Sequence, residues 1–205
     1  MREYKTIENE GLSELIEKKS KFIASVYHIE SIKEAEEKLM QVRKKYHDAR
    51  HNCYAYRVLE KNNLVERSSD DGEPSGTAGA PMLNILKQED LCNVLIVVTR
   101  YFGGILLGTG GLVRAYSQST KEVIEKSKIV LKQEGYVVEI EIEYRDFDRL
   151  KYFCKTNEIK IINSQYLENI IVEVEIKQNQ KFLFDSCENL NFNPIKCNII
   201  KEKYI

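Results

Sequence analysis

The chain has 205 residues, 42% hydrophobic and 31% charged, with 31 Lys and Arg against 32 Asp and Glu. That length and balance fit one large or two small globular domains, and exclude disorder, collagen and low-complexity repeats as descriptions of the whole chain. A net charge of -1 leaves no general basic excess, so any polyanion must meet a local patch. No run reaches the ~18 apolar residues of a spanning helix, and the polar start lacks the apolar stretch of a signal peptide. A cytoplasmic address and no membrane partner are therefore expected. Cys53, Cys92, Cys154, Cys187 and Cys197 are odd in number and form no Cys-x-x-Cys pair, so reduced, mostly structural thiols are expected.

Residues 18–29, rich in β-branched and aromatic types, read as a strand paired with the segment around Tyr4 to Glu8. Ser31 opens a helix that runs to about Tyr46, with early glutamates and late Arg43, Lys44 and Lys45 suiting the helix dipole. Cys53 to Leu59 is a strand, Asn62-Asn63 a turn and Leu64 to Arg67 a return strand. Residues 68–81 are dense in Gly and Pro and read as an exposed loop, followed by a short helix from Met82 to Lys87. Asn93 to Tyr101 is so continuously apolar that it reads as a central strand buried on both faces. A glycine-rich turn then leads into a helix from Leu112 to Lys126.

The second half alternates Val138, Ile140 and Ile142 with Glu139, Glu141 and Glu143, a strand with one wet face. A helix from Phe147 to Cys154, a hairpin from Ile159 to Lys177, a helix from Lys181 to Asn189 and a strand from Pro194 to Lys203 complete a βαββαβ order. That order is the ferredoxin-like split motif. The boundary is expected between Ser127 and Gly135, giving domains 1–130 and 135–205.

Three segments depart from scaffold chemistry. His47 to Cys53 gathers two imidazoles, a carboxylate, a guanidinium and a thiol, but its spacing matches no zinc pattern and adjacency on one strand does not make a nucleophile pair. A packed Cys53 beneath a polar rim is the preferred reading, with no metal, no cofactor and no assigned catalytic residue. The loop with Asp70, Asp71 and Glu73 beside Gly76 and Gly79 serves either ordinary turns or a ligand. The stretch Arg100 to Arg114, with Gly103, Gly104, Gly108, Gly110 and Gly111, ends a buried strand and starts a helix, a geometry in which backbone N–H groups cradle an anion. It is neither a Walker loop nor a dinucleotide fingerprint.

The strings Asp48-Ala-Arg-His-Asn-Cys-Tyr-Ala-Tyr56, Ser69-Asp-Asp-Gly-Glu-Pro-Ser-Gly-Thr-Ala-Gly-Ala-Pro-Met-Leu83 and Thr99-Arg-Tyr-Phe-Gly-Gly-Ile-Leu-Leu-Gly-Thr-Gly-Gly-Leu-Val-Arg-Ala-Tyr-Ser117 resemble the signature of the IMPACT family. Lys160 to Tyr166 resembles its bacterial YigZ/YvyE branch, which carries a C-terminal ferredoxin-like domain. The resemblance implies an α+β protein whose first domain has the two-layer ribosomal-protein domain 2-like fold. Its eukaryotic relatives bind an activator of an amino-acid-sensing translation kinase and regulate protein synthesis. Translation or RNA is thereby implied as the setting, without that pathway.

Two functions from different classes follow. The first is a non-catalytic binding or regulatory module that contacts RNA or the translation machinery through Lys44, Lys45, Arg50, His51, Arg57, Arg100, Arg114 and the glycine turn, with the acidic loop as a lid. The alternative is an enzyme acting on a small phosphorylated or carboxylated substrate at the acidic and glycine-rich loops, for which no nucleophile can be named. A small anionic ligand suits either reading, and the sequence sets no oligomeric state.

Overall fold

A computed structural model describes residues 3–60, 63–185, 190 and 192–205. The chain divides into two compact units, Glu3–Leu131 and Lys132–Ile205. In the first, β2 (Gly11–Glu17), β3 (Ser20–His28), β4 (His51–Glu60), β5 (Asn63–Ser69) and β6 (Val94–Tyr101) form one sheet in the order β2-β3-β6-β4-β5. Every pairing in it is antiparallel. β6 is its centre, as the apolar run predicts.

Helices cover both faces, which is why β6 shows no polar alternation. Ile96 and Val98 meet the core beneath α2 (Gly79–Gln88) and α3 (Thr109–Glu125), whereas Leu95 and Val97 pack against α1 (Ile32–Lys45). α1 thus adds a third, smaller layer to the two that were expected. Ser31 caps it by accepting the Glu34 N–H at 3.1 Å, and Arg43, Lys44 and Lys45 sit in its last turn beside the unpaired carbonyls.

β1 (Glu3–Ile7) does not pair with β3, because β2 and β6 already occupy both edges of that strand. Its ties lie elsewhere and include Cys92 N–H donating to the Lys5 carbonyl and, just past the strand, Glu8 N–H donating to the Lys128 carbonyl, each at 2.8 Å. The expected strand over residues 18–29 is a strand plus the turn that precedes it. Lys18 and Lys19 lie at φ 45° and 64°, forming a two-residue hairpin turn between β2 and β3.

The second unit holds β7 (Ile129–Ile142) from Lys132 onward, α4 (Phe147–Thr156), β8 (Lys160–Tyr166), β9 (Ile170–Lys177), α5 (Phe182–Asp185) and β10 (Lys196–Tyr204). β7 begins seven residues earlier than the strand read from Tyr136, because the lead-in from Ile129 is itself extended. Antiparallel pairing runs β10-β7-β9-β8, the ferredoxin-like order. Val138, Ile140 and Ile142 join Leu150, Phe153 and Phe184 in the core. The remainder of the helix expected to Asn189, with Cys187, lies outside the described residues. Among those that are described, no helix is long and apolar enough to cross a membrane.

On the sheet face away from the helices Glu139 stands directly opposite Glu173. Like charges in that relation repel. Glu139→Lys is expected to stabilise this unit by about 0.5 kcal/mol at low ionic strength, read from the exchange protection of β9 amides. A loss of protection would show that repulsion does not govern the pair.

Candidate functional site

One end of the first sheet gathers most of the singled-out residues. His51, at the start of β4, is in register with Arg100 near the end of β6, and Lys21 beside the hairpin turn is in register with Tyr101. The loop after β5 folds back onto this end, and α3 starts from it. Two classes of side chain meet here, one engaged and one free.

Arg100 belongs to the engaged class. It was expected to contact phosphate, yet only 7% of its side chain is exposed, and its Nη1 donates to Glu73 Oε1 at 2.7 Å. The Phe22 and Phe102 rings lie 5.5 and 5.6 Å from the guanidinium carbon. Tyr116 donates its hydroxyl to the same Glu73 oxygen at 2.8 Å. Cys53 lies beneath, donating its thiol to the Asp70 carbonyl at 2.9 Å. Burial pushes that thiol up to about 12, and burial together with Cys53 and Glu73 raises Tyr116 as well. Neither group is a nucleophile or a base near neutrality.

The acidic loop, expected as an exposed lid, is partly packed: Glu73, Thr77 and Ala78 are buried, while Gly72, Pro74, Ser75 and Gly76 stay exposed. Asp70 accepts the backbone N–H groups of Gly76, Ala78 and Gly79, each at 2.9 Å. Partial burial alone would raise its carboxyl, but the three donors outweigh burial and hold it below the usual aspartate value. Asp71 accepts the Asn52 N–H at 2.7 Å and an Arg43 donor at 2.8 Å, while its carbonyl lies 3.0 Å from His51 Nδ1. Asp48 accepts the Tyr101 hydroxyl at 2.7 Å. The carboxylates thus answer to separate donors, and among the described residues no group of three His, Cys, Asp or Glu side chains is placed to hold a metal ion.

Arg57 is placed elsewhere. Paired with Val94, it lies at the opposite end of β6, buried, donating to the Leu86 and Leu91 carbonyls at 3.2 and 2.9 Å and to Glu66 at 3.0 Å. It closes the end of α2 and is withdrawn from solvent.

The glycines divide in the same way. A Cβ on Gly103 would stand 2.0 Å from the Lys19 carbonyl carbon, so this glycine lets the β6 exit cross the hairpin turn. Gly79 lies against the Ser69 backbone, Gly76 and Gly104 stand at positive φ, and Gly111 touches Leu107. Gly108 caps α3 at φ 72° with no side-chain hydrogen bond to the helix start, and nothing lies within 4 Å of a Cβ built on Gly110. The first N–H groups of α3 are therefore open to an anion.

The free class comprises exposed Lys44, Arg50 and Arg114, with Lys45 beside the Tyr46 ring. Lys18, Lys19 and Lys121, not singled out in the sequence, are exposed too. Lys18, Arg114 and Lys121 border a groove of about 450 Å³ between β2 and α3, floored by Leu15 and Leu107.

A sheet covered by helices, with a buried ion pair and a glycine-opened helix start, describes a small-domain scaffold whose free chemistry is cationic. The chain belongs to the IMPACT family. The Impact N-terminal domain profile matches residues 18–124, and a domain of unknown function, DUF1949, matches residues 140–181. The chain is 34% identical over 184 residues to the IMPACT family member YvyE of Bacillus subtilis (strain 168), covering 90% of this chain and 84% of that one. It is 35% identical over 160 residues to the IMPACT family member YigZ of Escherichia coli (strain K12), covering 78% of each. A crystal structure described as that of an hypothetical protein is similar at a TM-score of 0.64 and 30% identity, over 96% of this chain and 98% of that one.

Because the folded Asp70 carboxyl lies below its unfolded value, its stabilisation is present above about pH 4 and fades as pH falls through the lower folded value. Asp70→Asn is expected to lower stability by about 1–3 kcal/mol at neutral pH and to flatten its decline below about pH 4. Denaturant titrations at several pH values check this, and an unchanged acid limb would contradict it.

Proposed function

We propose that this protein is a non-catalytic binding module that contacts RNA or another phosphate-rich component of the translation machinery through the basic end of its first domain, residues 1–130. The observation that carries this reading is the division of labour at the sheet end. Asp48, Asp70, Asp71, Glu73 and the Cys53 thiol there are engaged by structural partners, while Lys44, Arg50, Arg114, Lys18 and Lys19 reach solvent with no ion-pair partner among the described residues. The open start of α3 adds backbone donors to the same end. Guanidinium and ammonium groups around unpaired N–H groups suit phosphate oxygens, which fix position without reading sequence. Family membership supports translation as the setting, given the role of the eukaryotic relatives in regulating protein synthesis.

The opposed glutamates of the second sheet face favour the first domain over the second for this contact. The reading as an enzyme on a small phosphorylated or carboxylated substrate draws no support from Asp70, Asp71 or Glu73, each of which already holds structural donors.

Fluorescence anisotropy with a single-stranded RNA oligomer, between about 50 and 200 mM salt, tests the proposal. Affinity is expected to fall steeply with salt, and Arg50→Ala and Arg114→Ala are each expected to reduce the slope by about one. Absence of binding, or slopes unchanged in both variants, would overturn it.

A further inference from the structure

β2 is an edge strand of the first sheet. Glu17 and Ser20 flank a two-residue turn, so they form a hydrogen-bonded pair, and the alternation places Ser13 and Leu15 in bonded pairs with β3 as well. The N–H and C=O groups of Leu12, Glu14 and Ile16 therefore point away from the sheet. The edge carries the charges of Glu14 and Glu17, but β2 has no proline, its register with β3 shows no bulge, and Leu12 and Ile16 are 56% and 66% exposed.

The other face of the same edge borders the groove of about 450 Å³, beneath which Leu15 and Leu107 lie. Along its far wall Arg114, Gln118 and Lys121 recur at the spacing of one helix face. They span about 10 Å, the length of about three extended residues. Lys18 closes one end, and Glu17 is the single acid in the lining. None of the three cations has an ion-pair partner among the described residues, whereas neighbouring Lys21 is paired with Glu14 at 2.7 Å. The lysine pair also occupies a turn whose positive φ values favour Asn-Gly, so its position is conformationally costly and places charge beside the groove.

We infer that the free edge of β2 accepts an extended peptide segment of a partner protein in which acidic and aliphatic residues alternate. Added as a sixth strand, the segment bonds to the outward groups of Leu12, Glu14 and Ile16. One set of its side chains covers Leu12 and Ile16, and the other enters the groove to meet Lys18, Arg114 and Lys121. Charge separates this occupant from a second copy of the chain, which would bring the same three cations against themselves. The groove lining contains no aromatic ring on which a nucleobase would stack, so RNA contact there is confined to phosphate at its bordering cations and does not fill the groove.

The probe is a blocked peptide of alternating aspartate and valine, as long as the seven residues of β2, added to the full chain. Amide exchange followed by NMR is expected to show new protection at Leu12, Glu14 and Ile16. Arg114→Glu combined with Lys121→Glu, both on the exposed side of α3, is expected to weaken this peptide at least about tenfold and to favour a lysine–valine peptide instead. No binding, binding without protection of those three amides, protection by a second copy in concentrated protein alone, or protection by an RNA oligomer and not by the peptide would each overturn the inference. Arg50 lies outside the groove, so the RNA salt slope of Arg50→Ala judges the phosphate-contact reading separately.

Discussion

The ion pair between Arg100 and Glu73 is the contact on which the candidate-site end of the first sheet depends. Both side chains lie out of water, where an unpaired charge would cost several kcal/mol, so each fixes the other. Through Glu73 the pair holds the loop after β5 against the sheet; through Tyr116 it reaches α3, and through Phe102 the exit of β6. The glycine-lined crossing at Gly103 and the start of α3 follow from where this exit runs. A loop that composition marks as exposed is consequently packed against the sheet, with Asp70 fastening its far side to the start of α2.

That arrangement sorts charge by depth. Arg100 and Arg57 are interior groups, one answering a glutamate and the other mainly the carbonyl end of α2. Lys18, Arg50, Arg114 and Lys121 remain exposed. A protein with near-zero net charge can carry locally unpaired cations in this way, because Asp48, Asp70, Asp71 and Glu73 are engaged in structural contacts while these four cations have no ion-pair partner among the described residues. The same end keeps the Cys53 thiol buried and hydrogen-bonded.

Much of the fold was legible in the sequence. The uninterrupted apolar run ending at Tyr101 marks the central strand, Ser31 marks a helix start, and alternating valine, isoleucine and glutamate marks the first strand of the ferredoxin-like unit. The hairpin at Lys18 was not legible, because a lysine pair lacks the turn chemistry that punctuates Asn-Gly hairpins, and β2 was missed with it. The candidate site was legible as a region but not residue by residue. Arg50, Arg57 and Arg100 look alike in sequence, and only strand register and burial distinguish a surface cation from two interior ones. Glu73 beside Pro74 reads as turn chemistry, and nothing local reveals that its carboxylate closes a buried ion pair across 27 residues.

A double-mutant cycle on Glu73→Gln and Arg100→Met, followed by denaturant unfolding of the first unit, tests this dependence most directly. If the pair organises the sheet end, each single variant loses about 3 kcal/mol or more, while the double variant loses clearly less than their sum, because removing both charges leaves neither one buried alone. Additive losses, or single variants as stable as the parent, would contradict the account.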